Sequence, residues 1–305
     1  MKDRRVAVLM GGPSAEAAVS RQSGAMVVVA LRQTGLTVLP VDIQGTTVQL
    51  PADLDVAFIA MHGTFGEDGQ IQRILEDHGV AYTGSDPGAS ARAFDKVIAK
   101  ECFIEAGIPT PKSAIYEGDL SVLDELHWPL VVKPARQGSS VGVSIVHDLA
   151  SLLQAYAQAK QFDSQVLVEE FVRGREFTVG LLDGEALPVV EIRTSHDFFD
   201  FQAKYTAGAA EEICPAALDP VMAMRAKMFA LRAHDCLGCR DFSRVDLMMN
   251  ETTGQFFVLE VNTLPGMTAN SLLPKAARAA GLEMPALCLQ MVELALARRL
   301  EAVTV

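Results

Sequence analysis

Three things are scarce in this chain of 305 residues, and each scarcity closes off a class of function. No apolar run approaches the roughly 20 residues that span a bilayer, so a membrane protein is not expected. Basic residues are outnumbered, with 26 Lys and Arg against 38 Asp and Glu and a formal net charge of −12. No Lys/Arg cluster relieves that balance, which argues against a nucleic-acid partner, because neutralising phosphates takes basic patches. The five cysteines are an odd count with no disulfide-type spacing, which suits a reducing compartment. The one pair at metal or redox spacing, Cys236-Leu-Gly-Cys239 beside His234, has no second Cys/His pair to complete a zinc site and reads as a helix end closed by Gly238. Lys2, Asp3, Arg4 and Arg5 lead into Val6 to Met10, an apolar run too short for a secretory segment, so the expected location is cytoplasmic.

What is present is ordinary soluble composition, half hydrophobic and 21% charged. The length exceeds the range of one growing core, so two or three domains of roughly 100 residues are expected. Arg5 to Met10 reads as a buried strand, and Gly11-Gly12-Pro13-Ser14 turns the chain into a helix with Ser14 as N-cap and Gly35 as stop. Leu36 to Asp42 and Asp55 to Met61 read as two more strands of a parallel sheet, whose ligands gather at the carboxyl ends. Residues 11–16 and 62–69 thereby fall on one rim. The turn lacks the G-x-G-x-x-G spacing of a dinucleotide site and carries Glu16 in the first helical turn, either to complement the helix dipole or to meet a ligand. In the second rim segment, HGTFGEDG, the glycines allow a small ligand close to the backbone. His62 there is a core histidine or a ligand-facing one, and Glu67 and Asp68 are caps or site groups.

After a predicted helix over Ala89 to Ala106, closed by Gly107, the stretch Ile108-Pro109-Thr110-Pro111 reads as a linker into a new domain. Leu130 to Pro134 is a strand carrying Lys133, followed by the flexible turn Ala135 to Val143. A Gly/Ser-rich turn beside a lysine can lay N–H groups and a cation over phosphates, though it is no Walker loop, and a plain hairpin with an exposed lysine is the alternative. Gln165 to Val172 is an apolar strand with the paired carboxylates Glu169 and Glu170, and Arg175 to Val179 starts the next. Glu176 there either holds ribose hydroxyls or is solvated at a sheet edge. In Asp241 to Met249, Arg244 and Asp246 share a face, as do Glu260 and Asn262 in Gln255 to Asn262. Antiparallel pairing would gather all four, and Asp, Glu and Asn are the oxygen donors that Mg²⁺ takes alongside water and phosphate. A ladder of surface charges is the alternative.

The succession HGTFGEDG, Phe94-Asp95-Lys96, VVKPARQGSSVG, REFTVG, AKY, SRVD and LEVNTLPGMTANSLLP resembles the D-alanine–D-alanine ligase family over nearly the whole chain. The resemblance implies a mixed α/β and α+β molecule, an ATP-grasp fold with an N-terminal Rossmann-like domain. Its expected units are 1–95, 96–185 and 186–305. It further implies ATP and D-alanine as substrates, two Mg²⁺ ions with Mn²⁺ as a substitute, and a homodimer. Lys96 and Lys133 fall to the nucleotide phosphates, Lys204 to nucleotide binding, Glu169 and Glu176 to the adenosine pocket, and Asp246, Glu260 and Asn262 to the metal. Glu16 falls to the ammonium of the first D-alanine, with Ser139 and Tyr205 joined to it by hydrogen bonds and His62 nearby. Ser271 and Leu272 fall to the second substrate's carboxylate, and Arg244 and the Gly266 N–H to the oxyanion. The segment Ser195 to Ile213, with little periodicity, is the expected lid, and Tyr205 after Lys204 favours a dipeptide product over a D-lactate ester. Ala17, Gln137 and Glu170 depart from the common Arg, Glu and Lys of the family pattern.

Overall fold

The computed structural model describes residues 4–194 and 210–303. Its first sheet is wholly parallel, in the order β2-β1-β3-β4, from β1 (Arg5–Gly11), β2 (Thr37–Ile43), β3 (Val56–Ile59) and β4 (Ala81–Tyr82). A strand covered on both faces can be apolar at every position, which is why Val6-Ala7-Val8-Leu9 runs without alternation. Helix α1 (Ala17–Arg32) lies against it, with Gly24 where the helix passes Met10. Ser14 is not its N-cap. Glu16 occupies that position, and the Ser14 hydroxyl instead donates to the His62 carbonyl at 2.6 Å and accepts from Glu16 N–H at 3.2 Å. The helix ends at Arg32, and Gly35, at φ +82°, completes the turn into β2.

Helix α2 (Gln70–Asp77) follows the second rim loop. The helix expected over 89–106 is two helices, α3 (Pro87–Phe94) and α4 (Lys96–Glu105). Asp95, in extended conformation, ends the first and caps the second by accepting from Val97 N–H at 3.0 Å. The break re-aims the chain so that α4 starts on Lys96.

A second, antiparallel sheet runs β5-β8-β6-β7, from β5 (Ser113–Ile115), β6 (Leu130–Pro134), β7 (Ser144–Val146) and β8 (Val166–Glu170), covered by α5 (Leu149–Ala159). A third runs β12-β11-β9-β13-β14, with β10 (Glu185–Ala186) beside β9. Its strands are β9 (Gly174–Leu182), β11 (Val190–Thr194), β12 (Ala210–Ile213), β13 (Phe242–Asn250) and β14 (Phe256–Asn262), backed by α6 (Pro220–Cys236). Strand β9 lies in the span read as the central unit, yet it pairs with β13 over its whole length, from Gly174↔Asn250 to Leu182↔Phe242. Of the segment read as a lid, residues 195–209, including Lys204 and Tyr205, lie outside the described residues. Its last four residues are not irregular but form β12, antiparallel to β11.

Helices α7 (Leu272–Ala279) and α8 (Met284–Val303) return to the first sheet, where Leu287, Cys288, Met291 and Val292 are fully buried in one core with β1 and β3. Their apolar character belongs to that core, and among the described residues no single helix is long and apolar enough to cross a membrane. Helix α6 ends at Cys236 with Gly238 at φ +71° just beyond, as its sequence indicates. His234 Nδ1 faces Ser243 Oγ at 2.7 Å, and no group of three or more His, Cys, Asp or Glu able to hold a metal exists among the described residues.

Candidate active site

Antiparallel pairing of β13 and β14 sets Arg244 opposite Asn262 and Asp246 opposite Glu260, with a bulge just after Asp246. The four side chains converge as the period-two pattern requires. Arg244 binds Asp246 through two parallel hydrogen bonds of 2.9 and 2.8 Å. Asn262 Nδ2 donates to Asp246 at 3.1 Å, and Thr178 on β9 donates to its other oxygen at 2.6 Å. Burial works against the Arg244 charge, but Asp246, with Glu260 and Glu67 behind it, holds the guanidinium pKa above its ordinary value. Glu260 pairs with Lys96 at 3.1 Å, and Lys96 also donates to the Gln137 carbonyl at 2.7 Å. Two carboxylates and an amide are too few donors for a closed cage, and they fit a Mg²⁺ ion that completes its shell with phosphate oxygens and water.

A cleft of about 730 Å³ opens between the second and third sheets. Lys133, Glu169, Glu176 and Lys96 line it. Lys133 reaches Glu169 at 2.5 Å, and the other oxygen of Glu169 lies 2.9 Å from Lys100, a buried lysine of α4 that the motifs do not mark. Lys100 also donates to Thr110 Oγ1 at 2.8 Å and to the Pro111 carbonyl at 2.9 Å. Burial alone would push the Glu169 carboxyl up, yet the two lysines hold it below the usual range. Burial pulls Lys100 down to about 8, against the attraction of Glu169. On the facing sheet Glu191, also buried, bridges Arg175 at 2.7 Å and Arg193 at 3.0 Å, a second set that local sequence does not reveal. Glu170 borders the same cleft, and its carboxylate faces His127 Nδ1 at 2.7 Å and accepts from the His127 backbone N–H at 3.0 Å.

A smaller cavity of about 260 Å³ adjoins, lined by Glu16, His62, Ser139, Arg244, Gly266 and Ser271 among others, with Leu272 at its edge. Glu16 accepts a hydrogen bond from Ser139. The approach depends on missing side chains, since a Cβ on Gly138 or Gly63 would stand 2.9 or 2.6 Å from the Glu16 carboxylate. His62 Nδ1 faces the Leu264 carbonyl at 3.1 Å, so this nitrogen carries a proton, and Nε2 takes the Ser23 hydroxyl at 2.9 Å. Ser23 in turn accepts from Met267 N–H at 3.2 Å. His62 thereby ties the second rim loop to the loop carrying Gly266. Glu176, Ile192, Asp246 and Glu260 line both cavities, so the two spaces share a wall that contains the candidate metal donors.

Two family models match the chain. The one described as D-ala D-ala ligase N-terminus covers residues 44–85, and the one described as D-ala D-ala ligase C-terminus covers 104–293. The D-alanine–D-alanine ligase of Methylacidiphilum infernorum is 43% identical over 296 residues, covering 97% of this chain and 96% of that protein. That of Geobacter sulfurreducens is 45% identical over 282 residues, covering 91% and 89%. Among solved structures, the Bacillus anthracis D-alanine–D-alanine ligase complexed with ATP superposes with a TM-score of 0.88 at 34% identity, covering 98% of this chain and 99% of that one. The VanG D-Ala:D-Ser ligase of Enterococcus faecalis gives 0.85 at 28% identity, covering 96% and 100%.

Proposed function

Because this chain belongs to the D-alanine–D-alanine ligase family, we propose that its two adjoining cavities divide one reaction, nucleotide in the larger and both D-alanines in the smaller. The chain is an ATP-dependent ligase of the ATP-grasp class that joins two D-alanines, the step that supplies peptidoglycan precursors. The observation that carries the division is the shared wall, where a phosphate donor and a carboxylate acceptor can meet across Asp246 and Glu260.

In this reading Lys96 and Lys133 neutralise the ATP phosphates, Lys204 joins the nucleotide contacts, and Glu169 and Glu176 border the adenosine. Asp246, Glu260 and Asn262 hold two Mg²⁺ ions, with Mn²⁺ as a substitute. Bound there, the metal offsets charge on the transferring phosphoryl group, a mainly electrostatic and positional task. Glu16 holds the first D-alanine by its ammonium, with Ser139 and Tyr205 completing its hydrogen bonds and His62 fixing the loop beside it. The substrate carboxylate takes the γ-phosphoryl group and ADP leaves. The second amine, neutral when it reacts, attacks the acyl carbon; a C–N bond forms, the C–O bond to phosphate breaks, and a proton is lost. Arg244 and the Gly266 N–H face the tetrahedral oxyanion, where one lost donor typically costs about 10²–10³ in rate. Ser271 and Leu272 receive the second carboxylate. The proposal includes a cytoplasmic location, supported by five unpaired cysteines, and a homodimer, to be tested by sedimentation.

The test is phosphate release from ATP and Mg²⁺ on adding D-alanine, compared with L-alanine and D-lactate. D-alanine alone as sole substrate should sustain turnover, and Glu260→Gln should abolish it in a protein that remains folded. Near-normal turnover by the folded variant would remove Glu260 from the metal site.

A further inference from the structure

Strand register places Met248, Glu176, Ile192 and Glu212 in one row across β13, β9, β11 and β12. Residues directly opposite in a sheet share a face, and this face is the floor of the site. Met248 lines the nucleotide cleft, Glu176 and Ile192 line both cavities, and Glu212 ends the row on the wall of the substrate cavity. No motif marks Glu212. Its carboxylate is ion-paired with Lys275, one turn into α7, the helix whose start presents Ser271 and Leu272.

In the proposed reading that helix start receives the second carboxylate. Ser271 does not cap its own helix; its hydroxyl accepts from Thr268 N–H at 2.9 Å and pairs with the Thr268 hydroxyl at 2.8 Å. The N–H groups of Leu272 and Leu273 are first-turn donors with no intrahelical acceptor. An amino acid whose carboxylate rests there carries its ammonium one carbon away, within the cavity that Glu212 walls. A hydroxy acid brings the same carboxylate and no positive charge. Lys275 left unpaired would attract either anion equally. Paired with Glu212, its charge is offset while the carboxylate is held towards the cavity.

Resting on the proposed division of the cavities, we infer that Glu212, positioned by Lys275, selects an amine over an alcohol as the second nucleophile by supplying the counter-charge for its ammonium. The selection acts on binding, before the amine sheds its proton and the C–N bond forms. Glu211 is the natural control, since it is 71% exposed and turned towards Arg193, 4.0 Å away.

The experiment supplies D-alanine as first substrate with ATP and Mg²⁺, offers D-alanine and D-lactate in competition for the second site, and weighs dipeptide against depsipeptide by mass spectrometry. Glu212→Gln should raise the KM for the second D-alanine about tenfold, lower the dipeptide to depsipeptide ratio by a similar factor, and leave the KM for ATP unchanged. Lys275→Met, which releases the carboxylate from its anchor, should move the ratio the same way. Glu211→Gln should match the wild type. If wild type makes no dipeptide, the functional reading falls and this inference with it. If wild type makes dipeptide while both Glu212→Gln and Lys275→Met keep its product ratio and second-site KM, the inference alone is overturned.

Discussion

Lys100 shows how much a single buried charge can matter to a binding site it does not touch. It lies one turn beyond Lys96 on α4, so both point to the same side of the helix, yet Lys96 reaches Glu260 and Lys100 ends behind Glu169. The residue is 2% exposed, and burial brings the pKa of its amine to about 8 from 10.5. Between those two values the unfolded chain binds more protons than the folded one, so this group makes stability rise as pH rises through that window. Below pH 8 the full cost of the buried charge applies. Lys100→Met removes the dependence. The difference between wild-type and variant urea midpoints should therefore grow in favour of wild type from pH 8 to about 10. Parallel midpoint curves would show that Lys100 holds no displaced proton.

At the scale of elements, α1 and β1 set two effects of known size against each other. Gly24→Ala improves helix propensity by about 0.8–1 kcal/mol. The added methyl, however, would stand 2.7 Å from Met10 Cβ, which the strand backbone fixes, and overpacking of that kind costs about 1–3 kcal/mol. A net loss of about 1 kcal/mol in urea unfolding is expected, and a stabilised variant would mean that α1 can slide. The same distinction between local and tertiary causes explains what the sequence disclosed. Strands β1, β2, β3, β6, β8, β9, β13 and β14 were legible because they are apolar runs between turns, and the Arg244, Asp246, Glu260 and Asn262 cluster because period two places residues on faces. The break at Asp95 was not, since no Gly or Pro announces it and the aspartate acts as a cap only once the chain has turned. Strand β12 was missed for a related reason: Glu211 and Glu212 lack apolar alternation, and the strand exists through its pairing with β11. Lys100 and Glu212 owe their roles to Glu169 and Lys275, distant in sequence, and Glu191 joins the nearby Arg193 to the more distant Arg175, which no local motif encodes.

For the whole molecule, the core of the first sheet is completed by helices from the other end of the sequence. Leu287, Met291 and Val292 are fully buried there, and Arg298 reaches Asp241 and the Tyr82 carbonyl. Three such side chains contribute about 1.5–3 kcal/mol each on burial. Their sum is comparable with the entire stability of a domain, about 5–15 kcal/mol. A chain ending at residue 271 should therefore lose the cooperative unfolding of its first sheet and bind a hydrophobic dye without denaturant. An unchanged urea transition in that shortened chain would show the first sheet to be self-sufficient.

The same closure has a consequence in time, during synthesis. Roughly 200 residues separate β4 from α8, and at about 5–20 residues per second a ribosome needs about 10–40 s to make them. Through that interval β1 and β3 have emerged while the helix that covers them has not, so the nascent sheet presents an apolar face to chaperones and proteases. Of the three sheets, the one translated first waits longest for its covering helix.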